Sequence, residues 1–130
     1  MQCKVGYWLG LCDEDVSVAN ILLDNKKYLQ AGFFCHMIVE KALKAVVASV
    51  TNEIPPKIHK LRKLADMGQL TCELSQSQID FFIELDPLNI EARYPEYKAN
   101  ISEYLNYDYT KNLLKEAEEF LCWIKQRLKK

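Results

Sequence analysis

From Tyr28 to Val50 the chain reads YLQAGFFCHMIVEKALKAVVASV, and this segment constrains the fold more than any other. Ala31, Cys35, Ile38, Ala42, Ala45 and Ser49 recur at heptad-like spacing, flanked by Phe34, Met37, Leu43 and Val46. Steps of three and four mark one face of an α-helix, and here the apolar surface extends around much of the circumference. A helix apolar on most sides must be surrounded by others, so the spacing predicts a central helix. His36, Glu40 and Lys44, at i, i+4 and i+8, run along it as a polar stripe, with Lys41 alongside. Glu placed before Lys at this spacing is also a favourable surface pairing, worth ~0.3–0.5 kcal/mol, which gives the stripe a purely structural reading.

The remaining segments supply what would surround that helix. Val5, Trp8, Leu9, Cys12, Val16, Ala19 and Leu23 predict a helix over residues 4–25, and DNKKYLQAG reads as the turn after it. Two adjacent prolines in TNEIPPK end the central helix. A short helix is expected through Ile58, Leu61, Leu64 and Ala65, with Gly68 as its C-cap. LSQSQIDFFIELD reads as a further helix capped by Ser75 or Ser77, with Ile79, Phe82 and Ile83 inward and its end near Asp86-Pro87. The stretch from Pro87 to Tyr109 is irregular and rich in tyrosine, and Leu113, Leu114, Ala117, Phe120, Leu121, Ile124 and Leu128 form one face of a last helix. No strand pattern is present. The expected architecture is all-α: an up-and-down bundle of four to five antiparallel helices in one domain of 130 residues, with a long loop before the last helix.

Apolar residues at 49% and charged residues at 27% are the composition of a globular domain. A net charge of −1 excludes overall polyelectrolyte attraction to nucleic acid or membrane. The local balance differs: residues 26–63 hold eight Lys or Arg against two acids, and residues 73–108 hold eight acids against two basic residues. Such a split either compensates itself within the fold or a dimer, or marks an anion site on the basic half. Five cysteines without a C-x-x-C, with Cys12, Cys35 and Cys122 at apolar helical positions, point to free thiols in a reducing compartment. No apolar run approaches the ~18 residues of a membrane span, and the N-terminus lacks the pattern of a signal peptide, so a cytoplasmic protein is expected.

Known catalytic arrangements are mostly excluded. There is no Gly-framed Ser, no glycine-rich phosphate loop, and no H-E-x-x-H or other metal-ligand spacing, and the reading calls for no cofactor. What remains is the pairing of Arg with His, in which His moves a proton and Arg holds a phosphate. The histidines are His36 and His59, and the isolated Arg is Arg93, within EARYPEYKAN. Tyr94-Pro95 stiffens the chain beside Arg93, and Tyr94 either stacks on a base or packs on the core. Lys41, Lys44, His59 and the cations of 57–63 are the groups with which Arg93 would form an anion pocket. The competing reading makes Arg93 a buried structural bridge to Glu40 or another carboxylate.

FCHMIVEKALKAVV at 34–47, PPKIHKLRKL at 55–64 and EARYPEY at 91–97, together with WLGLCDEDVSVANILL and the amphipathic last helix, resemble the HEPN domain. The resemblance implies an antiparallel helical bundle, commonly a homodimer, often encoded beside a minimal nucleotidyltransferase. Ribonuclease members of the family carry Arg, then four to six intervening residues, then His. Here Arg93 is followed at the matching positions by Lys98, Ala99 and Asn100. Asn100 is able to hold a phosphate oxygen or orient a water, but not to exchange a proton near neutral pH. The resemblance therefore implies a non-nuclease branch that binds a nucleotide or nucleic-acid phosphate and partners the nucleotidyltransferase, with no catalytic residue of its own. Arg93 and Lys44 would hold phosphate, Tyr94 or His36 would contact base or sugar, and Glu40 would orient Arg93. Two alternatives stand beside it: a toxin-type endoribonuclease using His36 or His59, as in toxin–antitoxin pairs, and an interaction scaffold without a ligand.

Overall fold

The computed structural model of the protein describes residues 2–90 and 101–129. Among them there are helices and no strands: α1 (Gln2–Asp24), α2 (Tyr28–Thr51), α3 (Leu61–Met67), α4 (Gln76–Ile90) and α5 (Tyr107–Leu128), with a further helical turn at 101–104. The all-α bundle is as expected. α2 packs against each of the other four, and α1 also meets α5. The central position follows from composition, because Ile38, Val39, Ala42, Leu43, Ala45, Val46 and Val47 are all buried around its circumference. Ordinary core side chains of this size contribute ~1.5–3 kcal/mol each on burial.

The turn between α1 and α2 is shorter than the sequence suggests. It occupies residues 25–27, and Tyr28–Gly32 is already helical. Lys26, at φ 62, takes the left-handed conformation that reverses the chain. α2 ends before the prolines: Asn52, left-handed at φ 62, caps it, with its N–H bonded to the Ala48 carbonyl. α3 begins at Leu61, so Ile58 lies in the non-helical segment before it. Gly68 stands at the C-cap of α3 with φ −84, and the left-handed residue is the next one, Gln69. Glycine is required at 68 for space, since a Cβ there would lie 2.9 Å from Val46 Cγ1.

Ser75 caps α4 in a reciprocal box: its Oγ accepts from the Gln78 N–H at 3.1 Å, and its own N–H donates to Gln78 Oε1 at 2.9 Å. The helix continues through Pro87 to Ile90 where the sequence predicted a stop. Proline removes one helical hydrogen bond, here the one to the carbonyl of Ile83, a residue that is 54% exposed. Ile83 was expected inward; Phe81, Phe82, Leu85 and Leu88 fill that face instead, with Phe82 edge-on to Phe120 of α5 at 5.3 Å. The start of α5 is capped by Asn106, whose side chain accepts from the Tyr109 N–H at 2.8 Å. Its predicted inward face is buried from Leu113 to Ile124, with Leu128 partly so, while Cys122 is exposed and not inward as expected. The irregular stretch predicted from Pro87 is helical to Ile90 and again at 101–104, and its middle lies outside the described residues.

Candidate functional site

The polar stripe of α2 is buried. His36, Glu40 and Lys44 retain 0%, 1% and 7% of their accessible surface. Three other parts of the chain lie against it. Trp8 of α1 lies against Lys44, whose Nζ sits 5.6 Å from the ring centroid. His59, in the non-helical segment before α3, reaches Glu40. Asp86, one turn from the end of α4, approaches His36.

Glu40 is the hub. Its Oε2 accepts from Lys44 Nζ at 2.9 Å, and His59 Nδ1 stands 3.2 and 3.1 Å from Oε1 and Oε2. An ionised carboxylate only accepts, so the His59 Nδ1 carries the proton and donates. In the neutral ring this leaves Nε2 as the lone-pair nitrogen. The His59 side chain is 47% exposed, and Nε2 has no partner among the described residues. His36 lies deeper. Its Nδ1 is 3.5 Å from Glu40 Oε1 and its Nε2 is 3.8 Å from Asp86 Oδ1, and neither nitrogen is hydrogen-bonded. A buried ring with two unused polar atoms is uncommon in a folded protein.

The stripe is not a stability device in the ordinary sense. Apolar residues of similar volume usually stabilise a fold as well as a buried ion pair does. A carboxylate, a lysine and a histidine in core positions, with a half-exposed second histidine on the carboxylate, are therefore not accounted for by packing alone.

Lys41 is not brought to this cluster. It turns to α1 and pairs with the buried Asp15 at 2.8 Å. Arg93, Tyr94 and Asn100 lie outside the described residues, as does the alternative bridge from Arg93 to Glu40. Lys57, Lys60, Arg62 and Lys63 are exposed and make no ion pair among the described residues. They flank His59 on both sides along the chain. No group among the described residues is arranged to hold a metal ion.

Sequence reasoning missed Trp8 and Asp86 as members of the cluster. Helical spacing placed Trp8 among core residues and Asp86 at a helix end, and neither position signals a polar neighbour on another helix. A second polar contact lies apart: Tyr109 donates to Glu84, and burial together with that bond raises the Tyr109 hydroxyl above its ordinary range. Burial, then Glu84, raises the nearby Glu116 carboxyl.

What the Glu40 cluster is able to do follows from its parts. With a second proton on Nε2 the outer edge of His59 presents an N–H, with exposed cations on either side along the chain, and that form suits a phosphate oxygen. A histidine held by a buried carboxylate also has the orientation needed to accept or donate a proton.

The chain has no significant match among curated proteins or solved structures. The family model of the HEPN domain matches residues 5–128, which takes in α2 to α5, all but the first residues of α1, and every residue of the cluster. The protein belongs to the HEPN domain family.

Proposed function

We propose that this HEPN domain binds the phosphate of a nucleotide or nucleic acid at the exposed edge of His59, and acts as the non-catalytic partner of a minimal nucleotidyltransferase. The observation that carries the binding reading is His59 itself, anchored through Nδ1 on buried Glu40 and flanked by Lys57, Lys60, Arg62 and Lys63. Family membership supports a nucleotide- or RNA-related role, and the lack of a His at 98–100 after Arg93 is what favours the non-nuclease, nucleotidyltransferase-associated branch. Lys44 contributes by donating to Glu40 Oε2 in the core, which holds the carboxylate in place. Arg93 is the further cation expected at the phosphate, with Tyr94 at the base.

The working unit in this reading is a homodimer. Tyr7, Val18 and Ile21 of α1 are 63%, 36% and 58% exposed, and their spacing puts them on one side of the helix. A second copy is the natural cover for such a strip.

Calorimetric titration with ATP, GTP and a short RNA, with the RNA examined by gel in the same samples, tests the proposal. Saturable binding with intact RNA is expected, and Arg93→Ala should weaken it about tenfold or more. Absence of binding by all three would overturn it.

One observation favours a second reading, that of an endoribonuclease. The carboxylate–histidine pair of Glu40 and His59 supplies a candidate proton-transfer group despite the missing histidine after Arg93. Cleaved RNA in the same gel, lost in His59→Ala, would establish it.

A further inference from the structure

We infer that the cavity between α4 and α5 is a second binding site, separate from the Glu40 cluster, and that its ligand is a small organic cation, an amine carried on a short apolar body.

The cavity follows from how the two helices pack. α4 and α5 both lie against α2, and large side chains rather than close backbones span the gap between them: Phe82 meets Phe120 edge-on, and Tyr109 donates to Glu84. Toward the start of α4 this leaves a space of about 430 Å³, lined from α4 by Ser77, Gln78 and Phe81 and from α5 by residues between Asn112 and Trp123. That volume falls within the ~300–1,000 Å³ of small-molecule sites. No residue of the Glu40 cluster lines it.

The lining is aromatic and acidic. Phe81 and Phe120 are nearly buried, and Trp123 is half-buried with its ring 5.7 Å from that of Phe120. Glu116, Glu119 and Trp123 follow one another on α5 by steps of three and four, so they share one face of the helix. Glu116 is itself partly buried, and its Oε1 accepts from Asn112 Nδ2 at 3.0 Å. Neither Glu116 nor Glu119 has an ion-pair partner among the described residues. Burial, and then the charge of Glu84, raises the Glu116 carboxyl, as expected where negative charge lacks compensation. Lys115 also lines the cavity, but it is exposed and pairs with neither acid. The lining therefore carries two acids against one base, with Glu84 as a third acid close by.

A cation entering here relieves the repulsion between Glu84 and Glu116, and it meets an indole, the aromatic surface that attracts cations best. A metal ion does not suit the site. Hard cations need a shell of oxygens, and no group among the described residues is arranged to hold one. Phosphates and other anions are repelled by the same carboxylates. An ammonium on an apolar body uses the whole lining, with the carboxylates at its head and the aromatic side chains along its length.

The test is an NMR titration of the isotope-labelled full chain with phenethylamine, with its neutral isostere phenethyl alcohol, and with magnesium chloride. The two tryptophans, Trp8 and Trp123, give two indole N–H signals. Phenethylamine should saturably shift the signal that is missing from Trp123→Leu and leave that of Trp8 in place. Affinity should fall about fivefold or more for the alcohol, and by as much for the amine in Glu116→Gln and in Trp123→Leu, followed on backbone N–H signals of α5. Circular dichroism of both variants separates loss of contact from loss of fold. His59→Ala should bind the amine as the wild type does, so failure of the phosphate proposal leaves this inference intact. Equal affinity for amine and alcohol would overturn it in favour of an apolar pocket blind to charge. Magnesium that shifts the same signals and displaces the amine would overturn it in favour of a metal site. Unchanged affinity in folded Glu116→Gln and Trp123→Leu, or no saturable shift at all, would overturn it outright.

Discussion

His59 Nδ1 donates into the carboxylate of Glu40, at 3.1 Å from one oxygen and 3.2 Å from the other, across 19 residues of sequence and from a surface loop into the core. The bond joins a group with 1% exposure to one that is nearly half exposed. It fixes the ring, sets which nitrogen faces out, and turns a buried ion pair into something solvent molecules or ligands are able to meet.

Glu40 and Lys44 should behave as a unit. Removing either leaves the other charged and buried, which costs ~3–5 kcal/mol. Glu40→Leu and Lys44→Met are each expected to be destabilising by about that amount, while the double variant should lose far less than the sum. Urea unfolding of the four proteins measures the coupling. Additive losses would mean that the pair does not interact as described.

Gly68 is required by Val46 and not by the backbone. Gly68→Ala should cost ~1–3 kcal/mol through overpacking, although alanine is the better helix former. In a Val46→Ala background the same change should cost less, because the atom it meets is gone. Gln69→Gly, at φ 60, is expected to be neutral or stabilising by up to ~1 kcal/mol. Thermal melts of the set would decide; equal cost of Gly68→Ala in both backgrounds would exclude the steric explanation.

Several parts of this arrangement were legible in the sequence. The spacing of Ala31, Cys35, Ile38 and Ala42 gave away α2 and its central place, and Ser75 or Ser77 marked the start of α4, with the structure choosing Ser75. The polar stripe was visible as well, but its burial was not. Periodicity reveals which side chains share a face, and it is silent about what covers that face. The covering groups, Trp8, His59 and Asp86, sit on three other parts of the chain, so only the packed fold brings them together. Ile83 and Cys122 failed for a related reason: an apolar residue beside the inward face is not necessarily on it. The end expected near Asp86-Pro87 failed because proline disfavours helix continuation without forbidding it, and α4 runs on to Ile90.

Two thiols should make the fold sensitive to alkali. Burial pushes Cys12 up to about 12, with help from Asp15 and Asp13, and burial with Glu118 does the same for Cys35; both start from 9.0. Above pH 9 the unfolded chain ionises these groups and the folded one does not, so the unfolded state binds fewer protons and stability falls as pH rises. The loss is ~1.4 kcal/mol per pH unit for each thiol until the folded group also ionises. Urea midpoints across this range should drop less steeply in Cys35→Ala. At neutral pH, alkylating reagents should spare Cys12 and Cys35 and modify exposed Cys72 and Cys122. Labelling of all four at equal rates would contradict their placement.

The homodimer proposal locates its contact on α1. Ile21→Asp places a charge in the exposed strip with Tyr7 and Val18 and should convert the dimer to a monomer without unfolding it, since Ile21 is 58% exposed. Light scattering after gel filtration reads the mass directly. A wild type that is monomeric at all concentrations would contradict the proposal.

The most direct test of the central claim is calorimetric titration of wild-type protein and His59→Ala with a short RNA and with ATP, at one salt concentration and with thermal melts as a control for folding. The account predicts saturable binding by the wild type, weakened about tenfold or more in a folded His59→Ala protein. Equal affinity in the two proteins, or no binding by either, would show that the exposed edge of His59 is not where this HEPN domain meets a phosphate.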